Sequence, residues 1–428
     1  MAVKVAVIGG GSTYTPELVD GLAGFADRLP VGELALHDIA PDRLVPVAGF
    51  AGRILRRYGW SGRLHTTTDL AAAVDGADFV VVQLRVGGQA ARLVDETLPL
   101  AHGCLGQETA GAGGFAKALR TVPVVLELAE LVSARAAPGA WLVDFTNPVG
   151  IVTQALLDDG HRAIGLCNVA IGLQRRFAEL LGVAPDALAL EHVGLNHLTW
   201  ARAVRLDGTD QLPVLLDEHA GALAAHLELP AGLLRDLGAI PSRYLRFYYR
   251  TGELLARQRA GDIRARQVQR IERELLELYM DPALDTKPPQ LQQRGGRYYS
   301  EAAVRLMASL HDGRGDVQVV NVRNQGTIAG LPDDAVVEVP ARVGTAGADP
   351  VPVRPLPPEL LGLVQQVKAY ERLAVAAART GERRTARLAL LANPLVGELP
   401  AAEAILAELL EAHRDHLPRY FPAADVRA

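Results

Sequence analysis

The stretch VKVAVIGGGSTYTPELVDGL, residues 3–22, decides the fold, because it passes from strand-like to helix-like sequence across a glycine-rich turn. Val3–Ile8 is an apolar run broken by a single lysine, which is typical of a strand buried on both faces of a parallel sheet. Beyond the turn, apolar residues recur at helical spacing, which predicts a helix over residues 15–26. The stretch therefore predicts a strand, a tight turn and a helix in succession.

The same alternation continues outward from this unit to about residue 172. We predict further strands at residues 33–37, 78–83, 141–145 and 163–166, and further helices at residues 41–57, 116–134 and 151–159. Repeated strand–helix units of this kind favour an α/β fold with a Rossmann-like, doubly wound parallel sheet.

Beyond residue 172 the pattern changes. Helical spacing dominates, and residues 254–279 predict one long charged helix or a pair of helices, whereas residues 316–343 are strand-like. We therefore predict a first domain over residues 1–172 and a second, mixed α/β (α+β) domain over residues 173–428. The C-terminal helices are expected either to stay with the second domain or to pack back on the first.

Charge and composition exclude several classes of protein. The chain has 44 Lys and Arg against 49 Asp and Glu, whereas a general nucleic-acid binder would show a basic excess. Cys104 and Cys167 are its only cysteines, which predicts no disulfide framework and a reducing, cytoplasmic compartment. The N-terminus lacks a basic start followed by a long apolar run, and no window offers about twenty uninterrupted apolar residues. We therefore expect no signal peptide and no membrane span.

The glycine-rich turn predicts a nucleotide site. It consists of Gly9, Gly10, Gly11 and Ser12. Glycine permits a tight turn and a close approach of the backbone to a pyrophosphate, and the following helix adds N–H donors. Asp38 closes the second predicted strand, where a carboxylate accepts from the adenosine ribose and repels a 2′-phosphate, so NAD is favoured over NADP. Tyr14 stands where the usual motif has its third glycine, which leaves open a glycine turn that binds no nucleotide.

Further blocks of sequence extend along nearly the whole chain. They are RVGGQAARLVDETLPLAHGCLGQETAGAGGFAKALRTVPV (85–124), TNPVGIVTQA (146–155), GLCNVAIG (165–172), VGLNHLTW (193–200), PSRYLRFYY (241–249), RGGRYYSEAAV (294–304) and NVRNQGTIAGLP (321–332). In this order, and together with the opening stretch, they resemble glycoside hydrolase family 4. The resemblance implies an NAD-binding domain over residues 1–172 and a substrate, metal and oligomerisation domain over residues 173–428, and hence a homodimer or homotetramer.

The resemblance also implies a chemistry that begins as a dehydrogenation, and the expected activity is hydrolysis of 6-phospho-β-glucosides. Hydride passes from the sugar C3 to NAD⁺, the new ketone acidifies the C2 proton, a base removes that proton, and the C1 aglycone leaves by elimination. Water then adds, and the stored hydride returns to C3. NAD-dependent family 4 enzymes are an exception to the two-carboxylate rule for glycosidases, so no carboxylate pair is required.

The same resemblance implies a divalent metal, for which Mn²⁺ is expected. A cation beside the C2 and C3 oxygens lowers the barrier to an enediolate. Cys167 and His197 match the two protein ligands of the family, and a thiolate with an imidazole leaves positions open for substrate oxygens. Taken without the resemblance, a lone strand cysteine is more often a small buried hydrophobe, and a lone histidine is more often structural.

Tyr244 matches the family's catalytic base, and Glu108 matches a residue that tunes this tyrosine. A free tyrosine with a pKa near 10 is a poor base at neutral pH, so a nearby cation must lower its pKa. Tyr248 and Tyr249 follow closely in sequence and are the alternatives to Tyr244.

Four further residues are expected to contact substrate. Arg92 and Asn147 match positions that contact the sugar, and Arg294 is a candidate partner of a phosphate, with a solvated arginine as the alternative. Asn168 follows the metal cysteine, where α-type relatives carry an aspartic acid that acts as an acid. An amide cannot donate a proton in that way, which favours β-linked substrates.

Three other functions compete with this interpretation. A plain NAD-dependent dehydrogenase of the lactate or malate type would share the glycine turn and Asp38, and it would release NADH. A family 4 glycosidase of different specificity would act on an α-linked or unphosphorylated glycoside. A non-enzymatic, nucleotide-sensing regulator would not need Cys167, His197 and Tyr244 together.

Overall fold

The computed structural model describes residues 2–296 and 298–422, and a single mixed sheet organises them. Its strands are β1 Val3–Ile8, β2 Val31–His37, β3 Arg63–Thr67, β4 Phe79–Val82, β5 Trp141–Asp144, β6 Ala163–Gly165, β7 Leu188–Leu195, β8 Leu198–Leu206, β9 Thr209–Asp210, β10 Ile240–Pro241, β11 Asp316–Arg323, β12 Val336–Gly344 and β13 Gly347–Pro350. The spatial order along the sheet is β10-β8-β7-β12-β11-β6-β5-β4-β1-β2-β3, with β9 beside β8 and β13 beside β12.

Helices connect and cover the strands. They are α1 Thr15–Gly24, α2 Pro41–Arg57, α3 Leu70–Val74, α4 Gly88–Ala101, α5 Gly111–Arg135, α6 Val149–Asp158, α7 Val169–Leu181, α8 Leu212–Asp217, α9 Ala220–Leu227, α10 Ala231–Leu237, α11 Arg246–Tyr249, α12 Thr251–Arg259, α13 Arg264–Tyr279, α14 Gln290–Arg294, α15 Tyr299–Asp312, α16 Pro358–Thr380, α17 Arg383–Ala392 and α18 Leu399–Ala412. Short 3₁₀ turns lie at Pro185–Ala187, Arg243–Leu245 and Arg414–His416. Within the described ranges, none of the helices has both the length and the apolar sequence needed to cross a membrane.

The half of the sheet from β3 to β6 is parallel and doubly wound. β1 pairs in parallel with β2 on one side and with β4 on the other, so the order of strands reverses at β1. Ligands of open α/β sheets bind beyond the carboxyl ends of the strands at such a reversal. The predicted fold class, a Rossmann-like parallel sheet joined to a mixed α/β part, is therefore confirmed.

The antiparallel strands extend this sheet rather than forming a separate one. β11 pairs with β6 through Asn321 and Gly165, and β12 pairs with β7 through Glu338 and Gly194. The sheet thus crosses residue 172 without interruption, and the domain division predicted there stays a prediction. Residues 254–279 form the predicted pair of helices, α12 and α13, with Gly261 at a φ of +107° between them.

The C-terminal helices pack on the first half of the chain. α16 lies against α5 and α6, and α18 lies against α4 and α5. A buried network fixes this arrangement, because Asp95 of α4 binds Arg120 of α5 at 2.7 Å and its other oxygen lies 2.9 Å from Nε2 of His413. Three residues later, His416 reaches the wall of the cleft described below.

Candidate active site

A cleft with a volume of about 1260 Å³ opens beyond the carboxyl ends of the parallel strands. It brings together most of the residues predicted from sequence. Those that line it are Gly9, Ser12, Asp38, Arg92, Glu108, Asn147, Asn168, Tyr244 and Arg294. Cys167 and His197 are buried and adjoin its walls through their neighbours, and Gly10 and Gly11 complete the turn at one end.

The glycine-rich turn is too close to its surroundings for larger residues. A Cβ atom on Gly9, whose φ is +90°, would lie 2.8 Å from the carbonyl oxygen of Gln83. A Cβ atom on Gly11 would lie 2.8 Å from Oδ2 of Asp38, which accepts a hydrogen bond from the Gly11 N–H at 2.8 Å. The carboxylate is therefore held against the turn, at the place expected for an adenosine ribose.

Tyr14, the departure from the usual motif, lines the cleft and binds the segment that leads into α15. Its hydroxyl donates to the carbonyl oxygen of Gly296 at 2.7 Å and accepts from the N–H of Ser300 at 3.0 Å. The side chain thus joins the start of α1 to the start of α15.

Gln83, beside the turn, and Asn147, after β5, each offer a buried oxygen to a ligand of the cleft. Oε1 of Gln83 and Oδ1 of Asn147 are buried, and neither accepts a hydrogen bond from any described part of the chain. Both residues line the cleft, so their oxygens can accept from the hydroxyl or amide groups of a ligand. The assignment of Gly9, Gly10, Gly11, Ser12 and Asp38 to the cofactor stays a prediction.

Cys167 and His197 follow two strands, β6 and β7, that are separated in the sheet by β11 and β12. Cys167 lies two residues beyond the end of β6, and His197 occupies the tight turn between β7 and β8 with a φ of +68°. Burial lowers the pKa of His197 to about 4, although Glu338 and Glu108 oppose this shift, so the imidazole is neutral and able to coordinate. Among the described residues there is no cluster of three His, Cys, Asp or Glu side chains placed to hold a metal, so this pair would leave positions open.

Tyr244 lies directly against the proposed metal ligands. Its ring stacks on that of His197, with centroids 3.8 Å apart and planes 8° apart. Burial raises its pKa, as do the charges of Cys167 and Glu108, while Arg92 and Arg246 lower it. The protein alone therefore keeps this phenol protonated, and a bound cation is the group that remains to lower its pKa. The alternatives Tyr248 and Tyr249 are both partly buried, and neither of them lines the cleft.

Glu108 is surrounded by three basic side chains. Lys117 donates to it at 3.0 Å, Nη2 of Arg92 lies 3.2 Å away, and Arg85 makes a further close ion pair. Although burial opposes ionisation, the charges of Arg85, Arg92 and Lys117 hold the pKa of Glu108 well below its usual range. Burial, helped by the charge of Arg85, in turn lowers the pKa of Lys117 to about 7.

Arg85 and Lys117 were not predicted from sequence. Arg85 follows β4, the strand beside the reversal point. Residues that follow such a strand are expected near a ligand, so its position in the sequence could have indicated a role in the site. Lys117 lies in the largely apolar helix α5, where a single buried lysine was the only signal.

Arg294 lies at the nucleotide end of the cleft. Its Nε donates to Oγ1 of Thr13 at 2.7 Å, and its Nη2 lies 3.0 Å from Oε1 of Glu272 and 3.3 Å from Oγ of Ser12. A role of Arg294 toward a sugar phosphate stays a prediction, and its contacts favour a position beside the glycine-rich turn.

Comparison with known proteins identifies the class to which this fold and cleft belong. The sequence profile described as Family 4 glycosyl hydrolase matches residues 4–183, and the profile described as Family 4 glycosyl hydrolase C-terminal domain matches residues 192–396. The chain therefore belongs to glycoside hydrolase family 4, and the predicted family is confirmed.

Individual relatives narrow the comparison. The chain is 44% identical to a probable 6-phospho-beta-glucosidase of Bacillus subtilis, with 98% of each chain covered. It is 38% identical to the 6-phospho-beta-glucosidase of Escherichia coli, covering 98% of this chain and 97% of the relative. The structure of the Thermotoga maritima 6-phospho-beta glucosidase with manganese, NAD⁺ and glucose-6-phosphate matches at a TM-score of 0.89 and 33% identity, over 96% of this chain and 99% of that one.

Proposed function

We propose that this chain is an NAD- and divalent-metal-dependent enzyme that hydrolyses 6-phospho-β-glucosides. The observation that carries the proposal is a single cleft that joins the glycine-rich turn and Asp38 to Tyr244. Tyr244 stacks in turn on His197, beside Cys167. The names of the relatives, and the NAD⁺, manganese and glucose-6-phosphate bound in the Thermotoga structure, support the same conclusion.

When bound, NAD⁺ accepts and returns a hydride at the sugar C3, and the divalent cation polarises the C2 and C3 oxygens. The residues of this chain then have separate tasks. Cys167 and His197 hold the cation, and Tyr244 takes the proton from C2. Glu108 is the charged neighbour of Tyr244, and its own three basic neighbours keep it ionised. Asn147 and Asn168 line the cleft and offer amide groups to the sugar.

Charge favours a phosphorylated substrate. Arg85, Arg92 and Lys117 face the carboxylates of Glu108 and Glu96, so the protonated form of Lys117 leaves one positive charge in excess, which an anionic sugar would neutralise. The amide at Asn168 favours the β-linked over the α-linked glycoside, because it supplies no strong acid to the leaving group.

Other features of the sequence prediction belong to the same proposal. They are a nucleotide domain over residues 1–172, a substrate and metal domain over residues 173–428, a homodimer or homotetramer, and a cytoplasmic location without nucleic-acid or membrane partners. Two free thiols, Cys104 and Cys167, agree with a reducing compartment.

The test is turnover of a chromogenic 6-phospho-β-glucoside with NAD⁺ and Mn²⁺, in D₂O. We expect product, no accumulation of NADH, and deuterium at C2 of the released sugar, because NAD⁺ is regenerated and the C2 bond is broken in each cycle. Stoichiometric NADH would favour the dehydrogenase alternative. Product without deuterium at C2 would refute elimination chemistry. Faster turnover of the α-linked or the unphosphorylated glycoside would overturn the proposed specificity.

A further inference from the structure

Glu338 is a buried carboxylate that the sequence did not single out. It lies on β12, and 1% of its side chain is exposed. Nδ2 of Asn196 donates to its Oε2 at 2.9 Å and Nδ2 of Asn321 donates at 3.0 Å, while Nε2 of His192 lies 3.3 Å from its Oε1. In the described ranges no lysine or arginine forms an ion pair with it. A buried carboxylate without a permanent cation is costly unless a charge arrives from elsewhere.

The position of Glu338 in the sheet indicates where a compensating positive charge would bind. β12 and β11 lie between β6 and β7, the strands that precede Cys167 and His197. Glu338 pairs with Gly194 of β7, and its neighbour Asn321 pairs with Gly165 of β6. The carboxylate therefore lies in the sheet between the two strand ends that carry the proposed ligands.

Side-chain contacts complete the link. Asn196 immediately precedes His197, and its amide binds both Glu338 and the thiol of Cys167. Burial and then the charge of Glu338 raise the pKa of the Cys167 thiol. At His197, burial lowers the pKa and the charge of Glu338 opposes that shift. One carboxylate is thus connected to both ligands through a single residue, Asn196, by its side chain to Cys167 and by its backbone to His197.

We propose that Glu338 is a positioning residue whose buried negative charge balances the loaded metal site and, through Asn196, holds Cys167 and His197 in place. A divalent cation with one thiolate and one neutral imidazole leaves a net charge of +1 in a buried site. Glu338 brings the sum of these groups to zero, while the nearby charge of Glu108 is offset by its ion pairs with Arg85, Arg92 and Lys117. Outer partners of metal ligands commonly change metal affinity by about 10–100-fold when they are removed. The inference rests on the proposed function, because it requires Cys167 and His197 to bind the cation.

The test is the affinity of the purified full chain for Mn²⁺ alone, measured by electron paramagnetic resonance of the free ion. Glu338→Gln keeps the shape and removes the charge, so we expect its Kd for Mn²⁺ to rise by about 10–100-fold. The Kd for NAD⁺, measured by fluorescence titration, should stay within about twofold, because general damage to the fold would weaken both. Glu338→Asp, which keeps the charge, should recover part of the lost affinity.

Glu191→Gln is the matched control. Glu191 is a buried carboxylate on β7 beside His192, but its partners are Arg202, Arg205 and Arg354. Its removal should leave the Kd for Mn²⁺ within about twofold. Equal affinity of wild type and Glu338→Gln for Mn²⁺, or an equal loss in Glu191→Gln, would overturn the inference.

A second variant tests whether the metal site depends on the contact between Glu338 and His192 rather than on the charge of Glu338, and it serves if Glu338→Gln does not fold. If the site depended on that contact, breaking it would weaken metal binding although the carboxylate remains. His192→Gln keeps a donor and should leave the Kd for Mn²⁺ within about threefold and the rise in Tm on Mn²⁺ addition intact. Loss of Mn²⁺ binding in this variant would overturn the inference. Failure of the wild-type enzyme to bind Mn²⁺ would instead overturn the proposed function.

Discussion

Lys117 is a buried ammonium group that the fold disfavours near neutral pH. It is 2% exposed on α5, and burial, followed by the charge of Arg85, lowers its pKa from 10.5 to about 7 while Glu108 opposes the shift. Between these two values the unfolded chain binds a proton that the folded chain lacks, so stability rises with pH across this window. This contribution of Lys117 to the free energy of unfolding is complete above pH 10.5 and is lost as the pH falls through about 7.

The size of the pH effect follows from that difference of one bound proton. One proton corresponds to a slope of the unfolding free energy against pH of about 1.4 kcal/mol per unit. Lys117→Met keeps an unbranched chain and removes the proton. The unfolding free energy of wild type minus that of Lys117→Met should therefore increase by roughly 3–4 kcal/mol between about pH 7 and pH 10.

Urea unfolding at a series of pH values, followed by tryptophan fluorescence, measures this difference. Lys287→Met is the control, because the ion pairs of Lys287 with Glu17 and Asp20 outweigh burial and raise its pKa. That contribution is present below pH 10.5 and is lost only above it, so the control should show no rise in this window. A flat difference between wild type and Lys117→Met from about pH 7 to pH 10 would refute the reasoning.

Three further predictions concern the proposed residues. Cys167→Ser and His197→Ala should each lose most activity and most Mn²⁺ binding measured by calorimetry. Cys104→Ser, outside the cleft, should lose neither. If Cys167→Ser and His197→Ala both retained Mn²⁺ binding, the two residues would not be the metal ligands. Tyr244→Phe should lower kcat by about 10²–10⁴-fold with little change in KM; C2 deuterium exchange at the full rate would place the base elsewhere. Asp38→Asn should weaken NAD⁺ binding by about 10–100-fold and reduce discrimination against NADP⁺ in fluorescence titrations, because a charged acceptor is lost; unchanged affinities for both would contradict the ribose assignment.

Local signals made the nucleotide end of the molecule predictable. The strand β1, the turn and α1 follow one another directly in sequence, and each has its own pattern of residues. Asp38 was predictable for the same reason, since it directly follows β2, which neighbours β1 in the parallel sheet. β3 was missed because this edge strand is short and largely uncovered, so its sequence RLHTT lacks an apolar run.

The electrostatic partners of the site were not predictable in this way. Glu108 forms ion pairs with Arg85, which follows β4, and with Lys117 of α5, and neither contact leaves a periodic signal in the sequence. Glu338 follows Asn196 by 142 residues in sequence, and it resembles an ordinary polar residue in VVEVPARVG. The resemblance supplied the residues expected to react together with their charged neighbours Arg92 and Glu108, whereas the charges of Arg85, Lys117 and Glu338 are placed by the fold.

The continuity of the sheet explains why this site requires both halves of the chain. Cys167 follows a parallel strand, whereas His197 lies in an antiparallel hairpin, and β11 and β12 are inserted between these two strands. Tyr244 comes from a third segment and packs on His197. A shift of the antiparallel half against the parallel half would separate the two proposed ligands and the carboxylate between them. The shared backbone pairing at Gly165 and Gly194 opposes such a shift, so the sheet itself fixes the geometry on which metal binding would depend.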